Sequence, residues 1–400
     1  MSAIKHISTI TPVQVQPKRD KIKKSSNVIH QLRWIIIAGA CCGVNRLKVL
    51  ECTKIILWAS YLYTASLMVI FGFHLYFFEN TDHYGSYVVF KDTYETETII
   101  LMCAAIVFSK NKLTTMFHNL DTFDEKLNII KDISITTPIT RAIMWIVFSI
   151  VYIIVEYILI SNYLFPDSKI MSIGTFYMSL FVHNLEQIFY NTLLRTIMLR
   201  LIVIKAHVTK TLNIDDVELN KNKKSKIEGL AKNVQLNVTS LHNAYVLLHK
   251  CSQQLNSIMG LPMIAIIFSA GLSTIMLSKT IVSILQTENT ANENIQAVLI
   301  FSSVRSANYS MQILFPCYFS STSASLAYSI RTMLHDALNN LKLDKVERHK
   351  IKAFIQMTRE NQFSYALWGV ISLNMSLPLS YLSLCTTYLV IVIQFSKFID

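Results

Sequence analysis

The chain has 400 residues, of which 52% are apolar and only 16% are charged, and its formal net charge is +12. Soluble domains usually carry roughly 25% charged residues, so this composition argues against a protein whose whole surface faces water. It also argues against a soluble, basic nucleic-acid-binding domain. The mean hydropathy of +0.40 indicates that lipid is one of the solvents of this chain.

Seven stretches are apolar enough to cross a bilayer, which takes a helix of about 20 mostly apolar residues. Helices are predicted because they satisfy their backbone polar groups within one segment in lipid. The predicted spans are residues 55–78, 94–108, 143–164, 170–204, 258–285, 295–319 and 379–395. The predicted fold class is therefore an all-α membrane protein with seven transmembrane helices.

The basic residues alternate between the two sides of these spans. Residues 1–54, 110–141, 195–250 and 331–359 hold 10, 5, 10 and 7 Lys and Arg, which is 32 of the 37 in the chain. Residues 79–97 carry five acids against Lys91, and residues 286–294 carry two acids and no base. The positive-inside bias predicts a cytosolic N-terminus and an extracellular C-terminus, opposite to a G-protein-coupled receptor.

Three helices are predicted to extend below the membrane. Val234, Val238, Leu241, Tyr245 and Leu248 form an apolar stripe at helical spacing that runs into the fifth span without a break.

The other two extensions follow the sixth span and precede the seventh. Leu334, Leu338 and Leu341 extend the sixth span, and Phe354, Phe363 and Leu367 are expected to begin a further helix leading to Pro378. Such apolar faces need one another or a second subunit, which makes an oligomer anchor compatible with the pattern.

These features divide the chain into six parts. They are a cytosolic N-terminal segment (1–54), the first four spans (55–204), a cytosolic loop and helix (205–257), spans five and six (258–319), a cytosolic extension (320–378) and the seventh span with the C-terminus (379–400). Residues 1–33 lack the apolar core of a signal peptide, so none is expected. Lysines 221, 223, 224 and 226 indicate a solvated loop.

Few features favour chemistry. No histidine or acidic cluster and no phosphate-binding loop is found, so no enzyme, catalytic residue, metal site or cofactor is predicted. The seven cysteines lie in cytosolic or membrane segments and give no extracellular disulfide framework. The glycosylation sequons at Asn237, Asn308 and Asn374 fall at cytosolic or buried positions and are interpreted as chance matches.

The last span carries the most specific pattern. Residues 387–395 read Thr-Tyr, five apolar residues, then Gln-Phe. A glutamine near the end of a membrane helix usually forms a hydrogen bond to another helix. The alternative, more specific interpretation is that Gln394 lines a pore.

This ending resembles that of insect gustatory receptors, whose seventh span has the same residues at each place. Residues 185–201, with Gln187, Leu194, Arg195 and Arg200, are similar to the end of that family's fourth span. Residues 240–255 resemble the entry to its fifth span, and the stretch from Cys317 to His335 resembles the end of its sixth.

The resemblance implies a tastant-gated, nonselective cation channel that needs no G-protein, built as a homotetramer or as a heteromer with related receptors. It implies a plasma-membrane location on sensory dendrites and a pore lined by Tyr388, Ile391, Gln394 and Phe395, with Thr387 in the shared motif. A ring of four Phe395 side chains is physically able to close such a pore by dewetting.

The resemblance also implies a ligand pocket in the outer half of spans three to six. Polar and aromatic candidates there are Glu156, Tyr157, Tyr177, His183, Lys279, Ser302, Arg305 and Asn308. Glu156 and Arg305 lie about 12 and 15 Å below their outer span ends, so a structural ion pair between them is an alternative to ligand contact.

Two alternatives remain. An odorant-receptor-type channel shares the polarity and architecture. A membrane transporter is weaker, since no inverted repeat is seen. The ligand is interpreted as a bitter or other non-volatile tastant, because no match to sugar or carbon-dioxide receptors is found.

Overall fold

The structure is a computed structural model that describes residues 27–77, 85–108, 111–127, 133–164, 170–212, 237–286 and 293–399. Its helices are α1 (Asn27–Cys41), α2 (Lys54–Phe77), α3 (Gly85–Phe108), α4 (Lys112–Lys126), α5 (Ile133–Leu164), α6 (Ile170–Thr211), α7 (Val238–Gln286), α8 (Glu293–Asn340), α9 (Lys345–Glu360) and α10 (Ser376–Ile399). A short 3-10 helix (Leu47–Leu50) precedes α2, and a hairpin of β1 (Ala366–Leu367) and β2 (Ile371–Ser372) precedes α10.

Each of the seven predicted spans coincides with a helix, namely α2, α3, α5, α6, α7, α8 and α10. Within the described residues, four helices meet a strict test of length and hydropathy: Lys54–Tyr76, Thr140–Ile158, Ile173–Thr211 and Val238–Lys279. A fifth is added if α3 and α4 are counted as one bent span. Residues 376–391 of α10 form a shorter apolar helix, and α8 is less apolar because it contains Arg305, Gln312 and several serines.

The helices divide into an inner and an outer set. In the apolar windows of α6 and α7, 67% and 56% of residues are buried, whereas the value is 17% in both α2 and α5. α6 packs against α5, α7 and α8, while α7 packs against α3, α4 and α10. A membrane helix that exposes most of its apolar surface is solvated by lipid or by another subunit, so α2 and α5 lie at the periphery of this bundle.

The predicted continuation of spans five and six as unbroken helices is confirmed, except that Leu341 lies just past the end of α8 and Val234 lies outside the described residues. α7 runs for 49 residues and α8 for 48, which is roughly 70 Å each and more than twice the hydrocarbon core. Pro262 and Pro316 lie inside them, and such prolines are tolerated in membrane helices where neighbours satisfy the freed carbonyl.

The helix predicted through Phe354, Phe363 and Leu367 towards Pro378 is wrong beyond its first part. α9 ends at Glu360, Phe363 lies in a loop, and Leu367 is in β1. Pro378 instead lies in the first turn of α10, where its missing N–H leaves no bond unmade. The side chain of Asn374 accepts from the backbone N–H groups of Ser376 and Leu377 at 3.2 Å and so caps α10.

The hairpin between α9 and α10 is held against α7. Asn256 Nδ2 donates to the carbonyl of Ala366 at 2.8 Å. Trp368 and Gly369, at the turn, have φ angles of 49° and 72°, and the Trp368 ring lies over Gly260. A Cβ at Gly260 would meet Trp368 Cδ1 at 2.9 Å, so this close approach requires glycine. Burial raises the pKa of the neighbouring Tyr365 phenol.

α1 and α4 were not predicted as helices. α1 buries Val28, Leu32 and Ile35. Gly43 follows it with a φ of 87°, and a Cβ at this position would lie 2.6 Å from Met102 Cε, so a larger residue is disfavoured here. Arg46 then forms a buried two-point ion pair with Glu186 of α6, with Nη2 2.6 Å from Oε2. The later part of the segment 1–54 is therefore packed into the bundle. Its first 26 residues and the 221–226 lysine run lie outside the described residues.

Candidate functional site

A buried ion pair between α5 and α8 forms the centre of the candidate site. Arg305 Nη1 donates to Glu156 Oε1 at 2.7 Å, and Glu156 is fully buried. The pair suggested by the depths of these residues is therefore present. Isolated charges are very costly in a bilayer, and pairing with the other residue offsets that cost for each of the two.

Two tyrosines extend this pair towards α3. Arg305 Nε donates to Tyr309 Oη at 2.7 Å, one helical turn away on α8. The hydroxyl of Tyr94, on α3, in turn donates to that of Tyr309. Phe176 of α6 lies under the guanidinium of Arg305, with the ring centroid 5.4 Å from Cζ, which adds a cation–π contact.

A second polar group surrounds His183 of α6, which is fully buried. Its Nδ1 lies 2.8 Å from Glu97 Oε1, and its Nε2 lies 2.7 Å from Gln312 Oε1. Gln312 Nε2 donates to Asn184 Oδ1 at 2.8 Å, and Ser269 of α7 also donates to Glu97. The His183 ring packs edge-on to Tyr94 at 5.3 Å between centroids, so the two polar groups are contiguous.

Glu95 and Glu97 were counted in an acidic outer loop, and the structure corrects that placement. Both lie in α3, which begins at Gly85 rather than at Tyr94, and both are buried. Glu95 Oε2 lies 2.9 Å from His74 Nδ1 of α2, and Thr175 donates to its other oxygen at 2.8 Å. Each acid has a histidine as its partner on another helix, which explains how the bundle tolerates them.

The remaining ligand candidates lie in different surroundings. The Tyr157 and Tyr177 rings meet edge-on at 5.6 Å beside Glu156. They line a crevice of about 300 Å³ between α5 and α6. Lys279 is exposed and Asn308 half-buried, and neither bonds to the polar groups within the described part of the chain. The Ser302 side chain lies outside the described residues.

The pore candidates share one part of α10. Tyr388 is 49% and Ile391 is 40% exposed, and Gln394 is also exposed. Thr387 is turned into its own helix, where its hydroxyl donates to the Ser383 carbonyl at 2.9 Å. The side chain of Phe395 lies outside the described residues. Because Tyr388, Ile391 and Gln394 recur every three residues, they form an exposed stripe along α10.

Sequence reasoning missed several members of the site. Tyr94, Glu97, Ser269, Tyr309 and Gln312 were not among the candidates. Arg305 and Tyr309 are four residues apart and therefore on one helix face, which was a readable signal. Glu97 was overlooked because it was counted among the acids of residues 79–97, although it also lies within the predicted span 94–108. No spacing rule links Ser269 to an acid 172 positions away.

The arrangement couples several helices through buried polar contacts. Among the described residues, no group of three or more His, Cys, Asp or Glu is placed to hold a metal ion. Polar residues from α3, α5, α6, α7 and α8 form two hydrogen-bonded groups, which meet where the His183 ring packs on Tyr94. Movement of one helix must therefore rearrange bonds to the others in its group.

Comparisons with known proteins place this fold. A family model described as 7tm Chemosensory receptor matches residues 32–399. The olfactory receptor OR5 of the insect Machilis hrabei has a similar structure, with a TM-score of 0.62 and 12% identity over 92% of this chain and 99% of that one. Its complex with eugenol gives a TM-score of 0.57 at the same identity and coverage.

No curated protein sequence matches this chain. At 12% identity the solved structures support the fold alone, whereas the family model spans nearly the entire sequence. The chain therefore belongs to the 7tm chemosensory receptor family, as its C-terminal pattern indicated.

Proposed function

We propose that this protein is a gustatory-type chemoreceptor, a tastant-gated nonselective cation channel of the plasma membrane. The observation that carries the proposal is the Thr-Tyr…Gln-Phe ending on a helix whose Tyr388, Ile391 and Gln394 side chains are exposed. A polar side chain such as Gln394 is costly on the outside of a membrane subunit unless water or another subunit covers it. A central pore shared by several subunits provides both the water and the neighbouring subunit. The assembly would be a homotetramer or a heteromer with related receptors.

Ligand recognition is assigned to the assembly around Arg305, Tyr94 and His183. This assembly includes residues of α5, which lies at the periphery, and of α7, which packs against the proposed pore helix α10. The hydroxyl groups of Thr274 on α7 and Tyr381 on α10 lie 3.0 Å apart, so α7 contacts both regions. A ligand gates such a channel only by binding one arrangement of these helices better than the other.

The test is expression of this chain alone in cells, with a tastant panel and whole-cell recording. Tastant-evoked cation current is expected, and substrate uptake without current would favour a transporter. Replacement of Phe395 by Ala is expected to raise the leak current, because a methyl group dewets a pore less than an aromatic ring. Unchanged leak and unchanged gating in that variant would contradict the plug.

An odorant-receptor-type channel is the second candidate, and the fold shared with olfactory receptor OR5 favours it. The two are separated by presenting volatile and non-volatile compounds to the same cells. Responses confined to volatile compounds would favour the odorant type. Responses to non-volatile, bitter compounds support the gustatory proposal.

A further inference from the structure

Two arginines near the cytosolic ends of the spans lie close together without an acid between them. Arg195 of α6 is near enough to Arg141 of α5 for the two positive charges to repel each other. Among the described residues, no ion pair or hydrogen bond to either guanidinium is found. Arg46, Arg200 and Arg305 each face a carboxylate. Arg141 and Arg195 therefore lack the counter-charge that these other arginines have.

The Nε atom of Arg195 is buried and has no acceptor. An arginine at the edge of a membrane usually extends its charged head group into water, as the exposed Arg141 is free to do. The Nε of Arg195 has no such route, because protein atoms cover it. A buried donor without an acceptor is costly, and so are two like charges next to lipid. An anion with several oxygen atoms would remove both costs.

Both arginines are placed at the level of the cytosolic leaflet by their neighbours. Arg141 is two residues before the predicted third span, which begins at Ile143. Tyr318 of α8, which also lies within electrostatic range of Arg195, is next to the predicted end of the sixth span at Phe319. The positive-inside bias assigns these span ends to the cytosolic side. The cytosolic leaflet is the one that is rich in anionic phospholipids.

An apolar and aromatic strip continues from Arg141 into the membrane. Met144, Trp145 and Phe148 follow it at helical spacing, and all three are exposed. The Trp145 ring packs on Phe315 of α8 at 6.0 Å between centroids, so the strip bridges α5 and α8. Tryptophan is enriched at the level of the lipid headgroups. A molecule with a phosphate and acyl chains matches both the basic end and the apolar strip, whereas a soluble anion uses the basic end alone.

We propose that Arg141 and Arg195 bind the phosphate of an anionic phospholipid of the cytosolic leaflet, whose acyl chains lie along Trp145 and Phe148. Guanidinium groups suit this role, because their forked N–H donors match two phosphate oxygens. Basic pockets between membrane helices on the cytosolic side are a general mode of headgroup binding. The bound lipid joins α5 to α6 by neutralising both arginines. Lipid binding does not require a channel, so this proposal and the receptor proposal fail independently.

The test uses the purified full-length chain in dodecyl maltoside and native mass spectrometry with added lipid. Dioleoylphosphatidic acid is expected to bind saturably and about tenfold more tightly than dioleoylphosphatidylcholine, because choline cancels the charge of the phosphate. Inorganic phosphate at the same concentration should not compete. Equal binding of the two lipids would overturn the recognition of charge. Competition by inorganic phosphate would assign the arginines to a soluble anion and overturn the lipid site.

The chain offers a matched control for the loss of charge. Arg141→Gln together with Arg195→Gln should weaken the binding of phosphatidic acid by about tenfold or more, since both two-point contacts are removed. The control is Arg348→Gln together with Arg359→Gln, because both of these arginines are exposed on α9. It removes the same charge and should leave binding unchanged. An equal loss in the control, or no loss in the first variant, would overturn the site.

Stability without lipid separates a lipid site from a structural role. Because Arg141 and Arg195 repel each other, Arg195→Gln should leave the melting temperature of the lipid-free protein unchanged or raise it. Phosphatidic acid should then raise the melting temperature of the original chain but not that of this variant. Arg200→Gln is the contrast, since it leaves Asp124 unpaired and should lower the melting temperature. An equal fall in Arg195→Gln would show a structural role and overturn the proposal.

Discussion

Three arginines in the described part of the bundle form ion pairs with residues of another segment rather than with residues of their own helix. Arg305 joins α8 to α5, Arg200 joins α6 to α4 through Asp124 with Nε 2.9 Å from Oδ1, and Arg46 joins the N-terminal segment to α6. Removing one partner of a buried pair typically costs about 3–5 kcal/mol, because the other charge is left uncompensated. Residue-level changes at these sites therefore affect folding before they affect ligand binding.

The Glu156–Arg305 pair provides a direct test. Glu156→Arg and Arg305→Glu, each alone, place like charges face to face and should lower stability by about 3–5 kcal/mol, with loss of surface expression. The double swap restores an opposite pair, although the Tyr309 bond to Arg305 is lost, so recovery should be partial. Surface biotinylation and thermal unfolding of the detergent-solubilised protein measure both effects. No recovery in the double swap would contradict the pairing.

At the scale of secondary-structure elements, the hairpin before α10 connects that helix to α7. Its turn has positive φ at Trp368 and Gly369, and it packs on α7 where Gly260 has no side chain to obstruct it. A non-glycine residue at positive φ is uncommon, and a β-branched or bulky one is a genuine outlier. Trp368 is therefore retained in this conformation by its contacts with α7 and its hydrogen-bonded neighbours.

Gly260→Ala should displace the Trp368 ring and lower the unfolding free energy by about 1–3 kcal/mol, the usual cost of overpacking. Trp368→Ala in the same chain should recover part of that loss, since it removes the atom that clashes. The melting temperature of the solubilised protein is the measurement, with Gly72→Ala as a control because its Cβ has open space. Additive losses in the double variant would mean that the two residues do not meet.

Gly43 makes a second prediction at this scale. Its φ of 87° and its contact with Met102 mark the turn after α1, so Gly43→Ala carries both backbone strain and a steric clash. A loss of about 1–3 kcal/mol is expected from the strained backbone. Limited proteolysis should then cut the segment that includes α1 faster than in the original chain. Gly39→Ala is the matched control, because its nearest contact is 3.4 Å. Equal cutting of the two variants would count against a required glycine.

For the whole molecule, the sign of the charge on each side sets the expected orientation. With 32 of 37 basic residues in alternate segments, the C-terminus is predicted to lie outside the cell. An antibody should therefore stain a C-terminal tag on intact, unpermeabilised cells. An N-terminal tag is the control and should stain only after permeabilisation. The reverse result would exclude this topology and, with it, the extracellular pore mouth at Gln394.

The positions of most helices followed from hydropathy, because apolar length is a local property of the sequence. The extents of α3 and α9 did not, since they depend on partners elsewhere. Glu97 is tolerated in a membrane helix because His183 and Ser269, both distant in sequence, hydrogen-bond to its carboxylate. α9 ends at Glu360, and the hairpin that follows packs on Gly260. The Glu156–Arg305 pair was foreseeable because both depths could be read from span ends. The crevice was not, since it depends on how α5 packs against α6.

The length of α7 has a consequence for how this protein is made. The N-terminal part of α7, before the predicted fifth span, places Tyr245 against Phe354 and Phe363. The Tyr245 hydroxyl donates to the carbonyl of Asn361, 116 positions later in the chain. At about 5–20 residues per second, ribosomes take on the order of ten seconds to supply those partners. During that interval an apolar stripe is exposed to the aqueous phase on a newly inserted helix. Slow translation of residues 250–360 is therefore expected to lower the yield of this protein more than slow translation elsewhere, which membrane-fraction immunoblotting of synonymous-codon variants would measure.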